Sequence, residues 1–274
     1  HVLPAAVGKL RQALGAEGAA LIVTVPRIGY RLAGEVSRTA GGQAHFSELA
    51  LARGQPVPGR KTFLLEEPLG QSLASEVWLA RQPRSGARRV FKFATSPERL
   101  DLLKREATVA RVLAARLGER PDIARVLDWN FESAPFFLEA EYGGRSLAAW
   151  AAEDELDALD RNSRLALFLR IARAVDAAHE IGVLHKDIKP DNVLIDAAGG
   201  VRLTDFGSSR LLDPRQLRAL GITALGMTLD VAQDSASGTP LYLAPELLDD
   251  QPATVRTDLY ALGLLLYQLL AGDL

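Results

Sequence analysis

Acidic and amide side chains suited to phosphoryl transfer cluster in two short runs of the second half of the chain. The first run, HKDIKPDN at 185–192, contains Asp187 and Asn192, and the second, DFG at 205–207, begins with Asp205. Phosphoryl transfer needs a carboxylate beside the attacking hydroxyl and oxygen ligands that hold Mg²⁺ on the phosphates. Either run alone could be a solvated acidic turn, but the two in this order indicate a phosphotransfer site.

These runs resemble the catalytic loop H-R-D-x-x-x-x-N and the metal-binding D-F-G of protein kinases, here of the bacterial serine/threonine type. The resemblance implies that Asp187 is the base that orients the substrate hydroxyl. It implies that Asn192 and Asp205 hold Mg²⁺ or Mn²⁺ and that Lys189 offsets charge on the transferred group. ATP is the implied phosphoryl donor, and proteins are the implied substrates.

The resemblance extends to both sides of these runs. Lys92, in the run VFK, matches the strand lysine that holds the α- and β-phosphates, and Glu106 is placed to pair with it. The run FFLEAEYG matches the strand that enters the hinge between lobes. Glu141 and Tyr142 would then meet adenine through their backbone, behind a gatekeeper alanine, Ala140. Further matches to the activation segment and its support are Phe206, Gly207, Glu246 and Asp258.

Two departures from the family pattern concern phosphate binding and regulation. The run GQSLASEV resembles the loop G-x-G-x-x-G-x-V, in which Gly70 and Val77 match while Ser72 and Ser75 replace glycines. Serine restricts φ and places a side chain where backbone should approach phosphate. Lys186 replaces the usual arginine and offers a point charge in place of a bidentate fork. We expect weaker control by phosphorylation of the activation segment.

Two other functions compete with the protein kinase hypothesis. The serines of the phosphate loop and Lys186 are compatible with a pseudokinase that binds nucleotide without turnover. The catalytic runs are also compatible with a phosphotransferase that acts on small molecules. Lys189 and the run APE at 244–246 favour a protein substrate, and the retained Lys92, Asp187, Asn192 and Asp205 favour catalysis.

The elements that must position these residues form an α+β, two-lobed kinase-like pattern, with a small β-rich lobe and a larger helical one. A hairpin through 70–80 and a strand at 90–93 precede a helix that starts at Ser96, with Ser as cap and Pro97 at the first position. A second helix, closed by Gly182, is predicted to bury one apolar stripe. That stripe consists of Leu165, Phe168, Ala172, Val175 and His179. Short strands follow at Val193–Ile195 and Val201–Leu203, and their hairpin should bring Asn192 and Asp205 together.

The first residues resemble the end of a winged-helix DNA-binding domain of the transcriptional-regulator type. A predicted helix at 2–14 is followed by two β-type runs around a Gly/Pro turn, similar to a recognition helix and its wing. Lys9, Arg11 and Arg27 would meet DNA phosphates in an intact domain, although a helix and hairpin packed on the kinase part is an open alternative. The predicted boundaries are 1–36 for this remnant, 37–61 for a linker and 62–274 for the kinase domain.

Composition limits the remaining classes. The net charge is −2 over 274 residues, and no cysteine is present, so disulfides and thiolate metal sites are excluded. No secretory leader or membrane segment is visible in the residues given, and we expect a cytoplasmic location. We also expect that the last helices of the larger lobe are missing, which would expose apolar surface, leave Glu246 without its usual partner and destabilise the fragment.

Overall fold

A computed structural model of the chain describes residues 22–25, 29–32, 49–72, 75–153, 155–213, 215–222 and 240–272. The chain divides into two compact units, 1–44 and 45–274. In the first unit, β1 (Ile22–Val25) pairs antiparallel with β2 (Gly29–Leu32), as predicted for the two runs around the turn. The predicted helix at 2–14, with Lys9 and Arg11, and the turn residue Arg27 lie outside the described residues.

The second unit begins with a six-stranded antiparallel sheet. Its spatial order is β3-β4-β5-β6-β8-β7. The strands are β3 (Pro56–Val57), β4 (Arg60–Ser72), β5 (Ser75–Arg81), β6 (Arg88–Ala94), β7 (Val126–Asn130) and β8 (Phe136–Glu141). Because successive side chains of a strand alternate between faces, Phe91 and Phe93 lie on one face and Lys92 on the other. Because β6 lies between β5 and β8, Lys92 projects from an interior strand of the sheet.

A mainly helical part follows the sheet. Its helices are α1 (Pro97–Leu117), α2 (Leu147–Ala151), α3 (Arg161–Glu180), α4 (Arg215–Ala219), α5 (Pro245–Leu248) and α6 (Val255–Ala271). Its short strands are β9 (Arg145–Ser146), β10 (Val183–Leu184), β11 (Val193–Ile195), β12 (Val201–Leu203) and β13 (Arg210–Leu211). The main core of this part joins buried residues of α1, α3, α6 and the β11–β12 hairpin. The predicted α+β, two-lobed fold is confirmed.

Local signals set the start of α1 as predicted. The Ser96 hydroxyl accepts a hydrogen bond from the Arg99 amide, and Pro97 occupies the first helical turn. The apolar side chains of Leu100, Leu103, Ala107 and Leu113 in this helix are buried.

The buried face of α3 differs from the predicted one by a rotation of part of a helical turn, so this prediction is wrong. The residues that pack into the core are Leu167, Ile171, Ala174, Val175 and Ala178. Leu165 is 41% exposed and Phe168 is partly buried, although both belong to the predicted stripe. Apolar residues occupy both sides of the first two turns of α3, so a 3.6-residue period fits either face. Packing against α6 and β12 selects the observed one.

The predicted linker at 37–61 ends too late. Residues 49–57 cover the outer face of the sheet, where Val57 is fully buried and Leu49 and Leu51 pack on the aromatic cluster. That cluster consists of Val57, Phe63, Leu65, Trp78, Ala80, Phe91, Phe93 and Phe137. This stretch is rich in Gly, Ala, Pro and Gln, a composition that gave no signal for a packed segment. Its three apolar residues, Leu49, Leu51 and Val57, are nevertheless enough to cover this face of the sheet.

The expected apolar exposure is present on the last helix. Leu259, Tyr260, Tyr267 and Leu270 of α6 are 38–70% exposed. Within the described residues, no helix is long and apolar enough to cross a membrane.

Candidate active site

A buried lysine joins the sheet to α1 and to the DFG run. Lys92 Nζ lies 2.8 and 3.0 Å from the two carboxylate oxygens of Glu106 and 3.2 Å from Asp205 Oδ1. Glu106 is 5% exposed. It lies on the inner, buried face of α1, two helical turns after Arg99. The structure thus brings together the lysine, the helix glutamate and the aspartate that the sequence predicted.

Lys92 attracts both carboxylates of this group, whereas burial and the charge of Asp205 raise the pKa of Glu106. Burial by itself would lower the pKa of Lys92, but the carboxylates of Asp205 and Glu106 outweigh burial and raise it above its ordinary value. The attraction of Lys92 lowers the pKa of Asp205, although burial opposes that shift. Lys92 therefore stays a cation and Asp205 stays an anion at neutral pH, the charge states needed to hold phosphate and a metal ion.

The β11–β12 hairpin places the two acidic runs side by side. Val193 pairs with Leu203, and beyond this pair the Thr204 amide donates to the Asn192 carbonyl at 3.0 Å. Asp205 follows at once with φ 65°, a left-handed conformation that turns the chain into the short 3₁₀ segment Phe206–Ser208. The predicted hairpin, with its turn at 199–200, is confirmed, and its open end carries both runs.

Asp187 is oriented by two neighbours of its own loop. The Asn192 side-chain nitrogen donates to Asp187 Oδ2 at 2.9 Å and to the Asp187 carbonyl at 2.7 Å. Lys189 Nζ lies 2.9 Å from the same Oδ2. The second carboxylate oxygen, Oδ1, is buried and has no hydrogen-bond partner among the described residues. A buried polar atom without a partner costs free energy, and a substrate hydroxyl is the kind of donor that would satisfy it.

One cavity of about 200 Å³ connects these groups. Its lining residues are Val77, Lys92, Arg99, Leu102, Leu103, Glu106, Asp187, Lys189, Asp205, Gly207 and Ser208. The predicted site residues among them are Val77, Lys92, Glu106, Asp187, Lys189, Asp205 and Gly207. Asn192 does not line the cavity, but its side-chain nitrogen contacts Asp187, which does. Gly70 and Ser72 lie in the last residues of β4, where Ser72 pairs with Ser75 of β5.

The predicted hinge residues follow the gatekeeper at the end of β8. Glu141 is bound from two sides, because its amide donates to the Arg125 carbonyl and its carboxylate lies 2.9 Å from Arg202 Nη1. The guanidinium carbon of Arg88 lies over the Tyr142 ring, 5.3 Å from the ring centroid. Arg202 was not among the predicted site residues. Its position on β12, next to the DFG run, was the only signal.

A buried carboxylate of α6 accepts hydrogen bonds from the backbone of the catalytic loop. Asp258 of α6 is 1% exposed and accepts hydrogen bonds from the amides of His185 and Lys186, both at 2.8 Å. His179 Nε2 lies 2.7 Å from the same carboxylate. Phe206 is buried against the His185 ring, with centroids 4.7 Å apart.

Glu246 has a hydrogen-bond partner that was not predicted from the sequence. The Thr257 hydroxyl donates to Glu246 Oε1 at 2.8 Å, and the same hydroxyl accepts from the Thr254 amide in the cap of α6. The expectation of an unpartnered Glu246 is therefore wrong. Thr257, the third residue of α6, supplies a neutral hydrogen-bond donor to this carboxylate.

We expect Asp258→Asn to destabilise the domain by about 3 kcal/mol at pH 7, because two buried amides lose a charged acceptor. Burial would raise the pKa of Asp258, but hydrogen bonds from His179, His185 and Lys186 hold it below the ordinary 3.8. A lowered folded-state pKa adds stability above the ordinary value, and that stability is lost as pH falls through the folded pKa. The difference between wild type and variant should therefore shrink below about pH 4.

Urea unfolding from pH 7 to 3.5 measures this difference, with Asp176→Asn as the control at an exposed site of α3. A difference that stays constant over the whole range would contradict the charged role of Asp258.

Comparison with known proteins agrees with this arrangement. The model of the protein kinase domain family matches residues 63–274. The chain is 34% identical over 230 residues to the serine/threonine-protein kinase PkaA of Streptomyces coelicolor, covering 78% of this chain and 40% of that protein. It is 33% identical over 223 residues to PkaB of the same organism, covering 74% and 47%.

A plant relative gives the same result. The CBL-interacting protein kinase 22 of Oryza sativa subsp. japonica is 34% identical over 223 residues, which covers 75% of this chain and 48% of that protein. The chain spans less than half the length of these three relatives. The family match covers most of the chain and includes every residue of the cavity. The chain therefore belongs to the protein kinase family.

Proposed function

We propose that the protein is a serine/threonine kinase that transfers the γ-phosphoryl group of ATP to hydroxyl groups of proteins. The observation that carries this proposal is the geometry of the cavity. Lys92, fixed by Glu106 and Asp205, lines the same cavity as Asp187, whose Oδ1 has no partner among the described residues. A fixed cation for phosphate and a carboxylate oxygen that can accept a hydrogen bond from a substrate hydroxyl are the groups that phosphoryl transfer needs.

The residues present fit ATP and a divalent cation. Asp205 and Asn192 provide carboxylate and amide oxygens, the hard ligands that Mg²⁺ and Mn²⁺ prefer. The side chain of Asp205 is 45% exposed to the cleft, so it can exchange part of its contact with Lys92 for a metal. When bound, the metal would neutralise phosphate charge and fix the phosphates for transfer.

The chain's own groups would act in sequence around the substrate hydroxyl. Asp187 Oδ1 accepts the hydroxyl hydrogen bond and aims the oxygen, while Asn192 keeps the carboxylate in place through Oδ2. Lys189, already 2.9 Å from Asp187, offsets the charge that develops on the transferred group. Lys92 holds the phosphates, and the hinge backbone at Glu141 and Tyr142 receives adenine.

We expect Lys92→Met to lower protein phosphorylation about 10²–10³-fold, because it removes a fixed cation from the phosphates. The complete protein is incubated with labelled ATP, Mg²⁺ and a general protein substrate, and phosphoamino acids are analysed after hydrolysis. Lys61→Met, at an exposed site of β4, is the matched control and should keep full activity. Label should appear in phosphoserine or phosphothreonine.

Each competing function gives a different result in this experiment. A folded wild-type protein that binds ATP but transfers no label to protein or to itself would be a pseudokinase. Turnover of aminoglycosides without phosphoprotein would identify a small-molecule phosphotransferase. Lys189 and the α5 run around Glu246 support the protein substrate.

The N-terminal part supports a narrower proposal, that the complete protein also binds DNA. The pairing of β1 with β2 is the hairpin expected of a wing, and it flanks the predicted phosphate contact Arg27. A gel-shift titration of the complete protein at two salt concentrations tests this, with Lys9, Arg11 and Arg27 replaced together by Gln. Equal shifts for wild type and variant would remove DNA from the partners. The cytoplasmic location stays part of the proposal and rests on the cysteine-free sequence.

A further inference from the structure

An arginine that matched no motif lies among the phosphate-handling groups. Arg99, in the first turn of α1, lines the same cavity as Lys92, Asp187, Lys189 and Asp205 and is half-buried there. Its backbone amide caps the helix through Ser96. The guanidinium is therefore the only part of the residue without an assigned role.

The other two cations of this cavity are already occupied. Lys92 is held by Glu106 and Asp205, and Lys189 by Asp187. Within the described part of the chain, no carboxylate lies within ion-pair distance of Arg99. Arg99 is thus the cation of the cavity whose charge is available to an incoming anion.

Helix stability does not explain a cation at this position. The N-terminus of a helix carries a partial positive charge, so an arginine in the first turn is electrostatically unfavourable. The adjacent Glu98 does not compensate, because it is exposed and its lowered pKa comes mainly from its hydrogen bond with Ser96. A half-buried arginine that lines the cavity at the positive end of α1 is best accounted for by an anion in the cleft.

The sequence of the phosphate loop explains why an additional hydrogen-bond donor to phosphate is needed. Ser72 and Ser75 stand at positions where glycine would let backbone amides approach phosphate closely. A guanidinium presents several N–H donors in a planar fork that matches phosphate oxygens. Arg99 can therefore replace contacts that this loop is poorly built to make.

We propose that Arg99 binds the γ-phosphate of ATP. This inference rests on the proposed function and adds a specificity-determining residue to it. The γ-phosphate is favoured over the inner phosphates because Arg99 shares its cavity with Asp187 and Lys189, the groups placed at the reacting end. The contact therefore distinguishes ATP from ADP.

Calorimetric titration of the complete protein with Mg-ATP and Mg-ADP tests the assignment without relying on turnover. Arg99→Gln should weaken ATP binding about tenfold and leave ADP affinity almost unchanged, since a charged hydrogen bond is lost only with ATP. Arg99→Lys should recover part of the loss because it keeps the charge. Arg111→Gln is the matched control, since Arg111 is a half-buried arginine of the same helix that does not line this cavity.

Two results would overturn this inference while the proposed function stands. In one, Arg99→Gln binds ATP as tightly as Arg111→Gln does. In the other, ATP and ADP are weakened by the same factor. A folded wild-type protein that binds neither nucleotide would instead refute the proposed function, so the two failures are distinguishable.

Discussion

Asp187→Asn is expected to lower the rate of phosphoryl transfer about 10³-fold and to leave ATP affinity nearly unchanged. The amide keeps the shape of the carboxylate and can retain a contact with Lys189, but it cannot accept the hydroxyl proton. The unpartnered Oδ1 is the atom whose chemistry changes. Single-turnover phosphorylation with labelled ATP measures the rate, and calorimetry measures the affinity.

Asp176→Asn separates this effect from a general loss of charge, because Asp176 is an exposed aspartate of α3. Its rate should equal that of wild type. An Asp187→Asn protein that retains a tenth or more of the wild-type rate would contradict the assignment of Asp187 as the base.

Gly144→Ala is expected to destabilise the domain by about 3 kcal/mol, through backbone strain and overpacking together. Gly144 has φ 113°, and a Cβ there would lie deep inside the van der Waals radius of the Ile195 carbonyl oxygen and 2.8 Å from the Cα of Asp196. Both obstacles are backbone atoms of β11 and its turn, so no side-chain rotation relieves them. Urea unfolding followed by tryptophan fluorescence reports on this domain, since all three tryptophans belong to it.

Gly86→Ala provides the comparison that isolates the steric part. Gly86 also has a positive φ, 73°, but a Cβ there would meet nothing within 4 Å. Its cost should be about 1 kcal/mol, from conformation alone. Equal destabilisation by the two substitutions would show that contact with β11 contributes nothing at Gly144.

Local signals account for the parts of the fold that the sequence predicted well. The start of α1 depends on Ser96 and Pro97, and the β11–β12 hairpin depends on its Gly199–Gly200 turn between two apolar strands. Such features involve neighbours in the chain, so composition and spacing carry them. The contact of Lys92 with Glu106 could be predicted only because the order of motifs resembled a known family, and the contact of Lys92 with Asp205 was not predicted.

Contacts between distant parts of the chain were not predictable in the same way. Arg202 and Glu141 are 61 residues apart and meet only because β8 and β12 converge at the hinge. Thr257 and Glu246 meet because α5 packs at the start of α6. Arg99 has the sequence context of an ordinary polar helix residue, and only the structure shows that it lines the same cavity as Lys189. In each case a charged or polar residue with no periodic signal acquired its role from tertiary structure.

The cover formed by residues 49–57 has a practical consequence for how the domain is produced. The match to the protein kinase domain family begins at residue 63, which makes that position the natural first residue of a recombinant protein. A chain begun there would lack Leu49, Leu51 and Val57, and the aromatic side chains beneath them would meet water. An apolar patch of that kind promotes self-association. We therefore expect recombinant forms of this domain to stay soluble when they begin upstream of Leu49 and to self-associate when they begin at residue 63.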